Sequence, residues 1–190
     1  MLIDLAALIS SAAEAYAAAG TEASKAAADL LRGVSSRSVS LPPKACPADL
    51  STALEAMRPG PLKDALLRSA SGFDWIAGDG RLADRLASAE LVGPDGILQA
   101  DSLRLGVFLQ SPQTHYPSHS HAAEELYLVL AGTPLWRKDA GRFEPVSPGS
   151  AVQHLSYQRH SMKTEGDALL ALWLWTGDLS FSSYQLHETT

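Results

Sequence analysis

From residue 91 onward the chain is cut repeatedly by turn signals. They are Gly93-Pro94-Asp95-Gly96, Asp139-Ala140-Gly141, Ser147-Pro148-Gly149 and Glu165-Gly166-Asp167. Between them lie short β-prone runs over 103–110, 126–131, 134–138, 151–154, 162–164 and 169–176. Short strands at this spacing imply an all-β sandwich or barrel. All six histidines fall in this half of the chain, which makes it the place to look for chemistry.

The first half reads differently. Leu2, Leu5, Ile9, Ala12, Ala13 and Tyr16 recur at helical spacing. Thr21 opens a second Ala-rich segment that runs to about Arg32, with Gly33 as its stop. Residues 33–47 are rich in Ser and Pro and read as a loop. Asp49 caps a helix through about Met57, and Pro61 sits in the first turn of the next, to about Ser69. A short helical turn is expected over 84–89. The expected fold is therefore α+β, with a helical layer from residues 1–90 packed on a C-terminal antiparallel β-barrel from 91–190, as one compact unit.

Composition narrows the function. With 190 residues, 46% hydrophobic and 19% charged, the chain suits one domain with a full core. A net charge of -6 with scattered basic residues disfavours nucleic acid as a partner. Cys46 is the single cysteine, which excludes a disulfide within the chain. Asp4 and Glu14 interrupt the apolar N-terminus and no Lys or Arg precedes it, so no secretory signal is expected. No uncharged apolar run reaches the roughly 18 residues that a membrane span requires. The expected setting is the cytoplasm, and the expected state a monomer or homodimer.

The informative stretch runs from Tyr116 to Gly132. His119, His121, Glu125 and Tyr127 all stand at odd positions, and alternate residues of a strand share a face. An uninterrupted strand would aim two imidazoles, a carboxylate and a phenol into one space. A barrel interior disfavours such groups unless something balances them. A divalent cation with N and O ligands would do so, and zinc, iron, manganese, cobalt and nickel all suit such a set.

The pattern His119-x-His121-xxx-Glu125-x6-Gly132 resembles the first motif of the cupin superfamily. A further histidine normally follows a Pro-Gly turn, and after Pro148-Gly149 both His154 and His160 are candidates. The setting of His160, Arg159-His160-Ser161-Met162-Lys163-Thr164, resembles the usual run into the next strand. More narrowly, Tyr116, His121, Glu125, Tyr127, His160 and the run Leu172-Trp173-Leu174-Trp175 resemble the cupin-type dimethylsulfoniopropionate lyases with a helical N-terminal half.

That resemblance implies one divalent metal ion held by His121, Glu125, Tyr127 and His160, with Tyr116 as the base. It implies that Trp175 lines the substrate cavity and leaves His119 either a further ligand or a group behind the ligands. Tyr127, in contact with the metal, would also act in catalysis as a partial phenolate. The implied reaction is a β-elimination on a small zwitterion, giving dimethyl sulfide and acrylate. A cupin dioxygenase, an isomerase or a non-catalytic ligand-binding cupin are the alternatives, because one fold hosts many functions. His115 and His187 read as solvated.

Overall fold

A computed structural model describes residues 1–187. Four helices come first: α1 (Leu5–Ala19), α2 (Glu22–Arg32), α3 (Leu50–Ala56) and α4 (Pro61–Ser69). The Asp4 side chain accepts from Ala7 N at the start of α1, and Thr21 accepts from Ser24 N at the start of α2. Asp49 precedes α3 but makes no capping bond with its side chain. Leu5, Leu8, Ile9, Ala12, Ala13 and Tyr16 form the buried stripe of α1. Each buried Leu or Ile of that stripe contributes roughly 1.5–3 kcal/mol.

The helical reading of residues 1–90 needs correction at four places. Strands β1 (Leu2–Asp4) and β2 (Ser38–Ser40) pair antiparallel, so Leu2 precedes the helix and is exposed. β3 (Ile76–Ala77) follows α4, and β4 (Leu86–Val92) replaces the helical turn expected over 84–89. Its neighbour β5 (Arg104–Gln110) explains the last change. Pairing with β5 supplies β4's backbone partners, and Leu86, Ala87, Ala89, Leu91 and Val92 bury on both faces.

The remaining strands are β6 (His115–Ser120), β7 (Glu124–Ala131), β8 (Leu135–Lys138), β9 (Glu144–Pro145), β10 (Ala151–His154), β11 (His160–Lys163), β12 (Leu169–Thr176) and β13 (Gln185–Leu186). They form a six-stranded sheet in the order β10-β7-β12-β5-β4-β3 and a five-stranded sheet in the order β13-β6-β11-β8-β9. Among the described residues no ladder joins these two sheets, so the closed barrel expected from sequence is not formed. The chain crosses from one sheet to the other between Ser120 and Glu124, where Tyr157 N donates to the His121 carbonyl.

Strand alternation divides the core in two. Leu126, Leu128 and Leu130 of β7 and Leu170, Leu172 and Leu174 of β12 share one buried cluster with the helices. Tyr16 of α1 also donates its hydroxyl to the carbonyl of Leu126. Tyr127 and Val129 of β7 and Ala171, Trp173 and Trp175 of β12 join Trp136 and Met162 of the other sheet in a second cluster. β7 is followed by Gly132, whose φ of 81° and closeness to the Ala168 carbonyl leave no room for a side chain. No helix among the described residues is long and apolar enough to cross a membrane.

Candidate active site

The space between the two sheets holds the polar groups that the sequence singled out. β6 and β11 lie side by side with His119 opposite His160. β7 and β12 lie side by side with Glu125 opposite Trp175 and Tyr127 opposite Trp173. His121 sits on the crossing between the sheets. The strand expected through 119–127 is thus broken, yet its side chains converge, because the two flanking strands face each other.

His121, Glu125 and His160 each offer a ligand atom within 4.8 Å of the others, and all three side chains are buried. Glu125 Oε2 lies 3.2 Å from His121 Nε2 and 3.1 Å from His160 Nε2. The other oxygen, Oε1, accepts the indole N–H of Trp175 at 2.7 Å. Three histidines share one backbone device. Nδ1 of His119, His121 and His160 bonds the carbonyl of Pro117, Ala123 and Gln158 respectively, each two residues away. A carbonyl only accepts, so the hydrogen sits on Nδ1 and Nε2 is left to bind something else.

These residues fit a divalent cation. With its hydrogen on Nδ1, His160 turns a bare Nε2 toward the Glu125 carboxylate, an acceptor facing an acceptor, and such a buried nitrogen is costly unless a ligand satisfies it. Two imidazoles and a carboxylate make a donor set that suits several such ions. Burial pushes the Glu125 carboxyl up, but the facing His121 and His160 outweigh it and hold it well below the usual carboxylate range. Burial, with the charge of His160 added, lowers His119 from 6.5 to about 3, so this ring is neutral.

The other candidates are placed as follows. His119 lies outside the three-residue group, with its ring 4.0 Å from that of His160. His154 also lies outside it. Its Nε2 accepts the indole N–H of Trp136 at 2.9 Å, which occupies one of its two nitrogens. Tyr127 is buried against Trp136 and Phe108, and burial followed by the Glu125 charge pushes its phenol well above 10. Tyr116 stacks on His119 with ring centres 4.2 Å apart. Burial, then the charge that neighbouring Tyr184 carries when ionised, raises the Tyr116 phenol as well. His115 and His187 are not simply solvated, since their Nε2 atoms meet the hydroxyls of Ser161 and Ser120.

A cavity of about 650 Å³ opens onto this group. Phe108, Tyr116, Tyr127, Trp173, Trp175 and Phe181 give it an aromatic wall. Its charged lining residues are carboxylates: Asp74 pairs with Lys44, Glu90 and Asp95 pair with Arg104, and Asp79 and Glu125 are the other two. Such a cavity suits a small ligand with a cationic end. Tyr184, Phe181 and Asp79 escaped the sequence reading. Phe181 and Tyr184 lie in a Ser-rich segment with no alternation and no motif, and nothing local signals their place.

The family model for dimethylsulfoniopropionate (DMSP) lyase matches residues 41–171, more than half of the chain. The chain belongs to the DMSP lyase family. Within that family it is similar to DMSP lyase DddQ of Ruegeria pomeroyi, 36% identical over 96 residues, covering 50% of this chain and 48% of that protein. It is also similar to the putative DMSP lyase DddL of Cereibacter sphaeroides, 34% identical over 148 residues, covering 72% of this chain and 62% of that protein. The chain therefore spans about half to three fifths of the length of these curated relatives.

Solved DMSP lyases match over more of their length. The crystal structure of DddQ from Ruegeria pomeroyi has a TM-score of 0.65 at 27% identity, covering 91% of this chain and 96% of that one. A crystal structure described with the DMSP lyases RdDddP and RnDddQII has a TM-score of 0.73 at 23% identity, covering 97% and 99%, and shows the fold alone. A cupin-2 domain from Rhodospirillum rubrum, with a TM-score of 0.50 at 19% identity over 62% of this chain and 76% of that one, is similar in fold alone.

Proposed function

We propose that the protein is a metal-dependent carbon–sulfur lyase that cleaves DMSP to dimethyl sulfide and acrylate by β-elimination. The observation that carries this is the buried His121–Glu125–His160 group, opening onto an aromatic cavity whose charged lining is all carboxylate. His121, Glu125 and His160 would hold the ion, and Tyr127, whose phenol lies near Glu125, would be a further ligand. When bound, the ion supplies positive charge that polarises the substrate carboxylate and favours ionised phenol at Tyr116.

The protein's own residues do the rest. The aromatic faces hold the dimethylsulfonium end by cation–π attraction, worth roughly 0.5–2 kcal/mol. Tyr116 takes a proton from the α-carbon, and the electron pair left behind forms the C=C bond as dimethyl sulfide departs. His119 supports Tyr116 from beneath its ring. Trp175 fixes the Glu125 carboxylate and walls off water. The helices cover the outer face of the six-stranded sheet, so the catalytic space and the helical layer work as one unit.

The test is headspace detection of dimethyl sulfide. Purified protein is loaded in turn with zinc, manganese, iron, cobalt and nickel, given DMSP, and compared with a chelated control. Release that chelation removes is the expected result. No release with any of these ions would overturn the proposal.

A further inference from the structure

Tyr184 lies outside residues 41–171, the span shared with the family, and its place is set by contacts far away in sequence. The segment that carries it follows β12 and is pinned at several points. Arg104 of β5 donates to the carbonyl of Leu179 and lies over the Phe181 ring. Ala122 N, beside His121, donates to Ser183 Oγ. Just beyond Tyr184, β13 pairs with β6, placing Leu186 opposite His119. Held on both sides, the partly exposed Tyr184 ring stacks on His119, and its hydroxyl lies 2.8 Å from that of Tyr116.

Burial and the charges facing the two phenols oppose ionisation of Tyr116, and Tyr184 opposes it too whenever Tyr184 is itself ionised; only a neutral Tyr184 hydroxyl that donates to the Tyr116 oxygen favours it. Glu125 of β7 and Asp79 in the turn after β3 are carboxylates that disfavour phenolate at either ring. The neighbouring Tyr127 of β7 is itself a phenol, and His119 of β6 presents a neutral ring. The hydroxyl of Tyr184 is the hydrogen-bond partner of the Tyr116 oxygen.

We propose that Tyr184 is the positioning residue of Tyr116, donating to its oxygen when ionised and passing the acquired proton on to water. This role rests on Tyr116 being the base proposed above. The α C–H bond breaks and its proton forms the O–H of Tyr116. The C–H electron pair becomes the C=C bond, and the C–S pair leaves on sulfur. Tyr184 then yields its own proton to water as it receives that of Tyr116. Both tyrosines are thereby restored, and one proton is released per turnover, matching conversion of a zwitterion to acrylate anion and neutral sulfide.

The variant Tyr184→Phe keeps the ring and its stack on His119 and removes only the hydroxyl. In the metal-loaded enzyme, kcat is expected to fall roughly 10- to 100-fold, with KM and metal content within about twofold of wild type. The rising limb of the kcat–pH profile is expected to move toward higher pH. An unchanged kcat and profile would overturn the role, as would a variant that loses its metal together with its activity. A second measurement needs no turnover. In zinc-loaded protein with ¹³Cζ-labelled tyrosine, the Tyr116 resonance, assigned through Tyr116→Phe, should titrate at higher pH in Tyr184→Phe than in wild type. An unshifted titration overturns the pairing. Wild-type protein that releases no dimethyl sulfide would overturn the lyase reading instead, and the tyrosine titration would still decide the pairing.

Discussion

Glu125 divides its two oxygens between two tasks. Oε1 is held by the Trp175 indole, which leaves Oε2 aimed at His121 and His160. A partner of this kind orients the ligating carboxylate. Trp175→Phe keeps a ring beside His121 but drops the N–H. It is expected to weaken metal affinity about 10- to 100-fold in a chelator competition. The two late histidines separate in the same assay. His160 aims Nε2 at Glu125 within the three-residue group, whereas His154 lies outside that group, with Nε2 on the Trp136 indole and Nδ1 unpartnered. His160→Ala should lose the metal and His154→Ala should keep it; the reverse pattern would exchange their roles. Tyr116→Phe should abolish acrylate release with metal content intact, and turnover retained in that variant would remove Tyr116 as the base.

At the scale of elements, the cavity wall depends on a missing side chain. The Trp173 indole packs against β5 at Gly106, where a Cβ would sit 2.4 Å from its ring. Gly106→Ala is therefore expected to displace Trp173 and cost about 1–3 kcal/mol, read as a lower urea midpoint with an altered near-ultraviolet CD spectrum. Strands such as β7 and β12 are legible in sequence because long β-prone runs lie between clear turns. β4 is not, since Leu-Ala-Ser-Ala-Glu-Leu-Val carries alanines that helices and strands bury alike. β6 escapes as a separate strand because it holds Pro117 and several hydroxyl and imidazole side chains. The odd positions 119, 121, 125 and 127 point to the site even though the strand through them is broken. Their convergence is a property of two facing sheets, which no local pattern encodes. Tyr184 is invisible for the same reason: its segment is fixed by Arg104, which lies 75 positions before Leu179.

For the molecule as a whole, the site and the helices are two faces of one sheet. Leu126 and Tyr127 are neighbours on β7, one packed with the helices and the other with the site. Charge forced into the site must therefore strain the entire core. Two buried histidines make that testable in metal-free protein. Burial, with the charge of His160 added, lowers His119 from 6.5 to about 3 and lowers His154 well below 6.5. Below pH about 6.5 the unfolded chain takes up these protons while the folded protein does not. Stability is thus full above that value and is lost as pH falls toward 3, at roughly 1.4 kcal/mol per pH unit for each such histidine. Glu125 acts in a lower window. Its folded pKa is depressed, so its contribution persists until pH drops below the usual carboxylate range. Urea titrations at pH 7, 6, 5 and 4 should show that decline, with tryptophan fluorescence and helical CD falling together because the two halves share a core. His119→Phe should flatten the slope by about 1.4 kcal/mol per pH unit. A slope equal to wild type would mean that this ring already carries a proton in the folded protein.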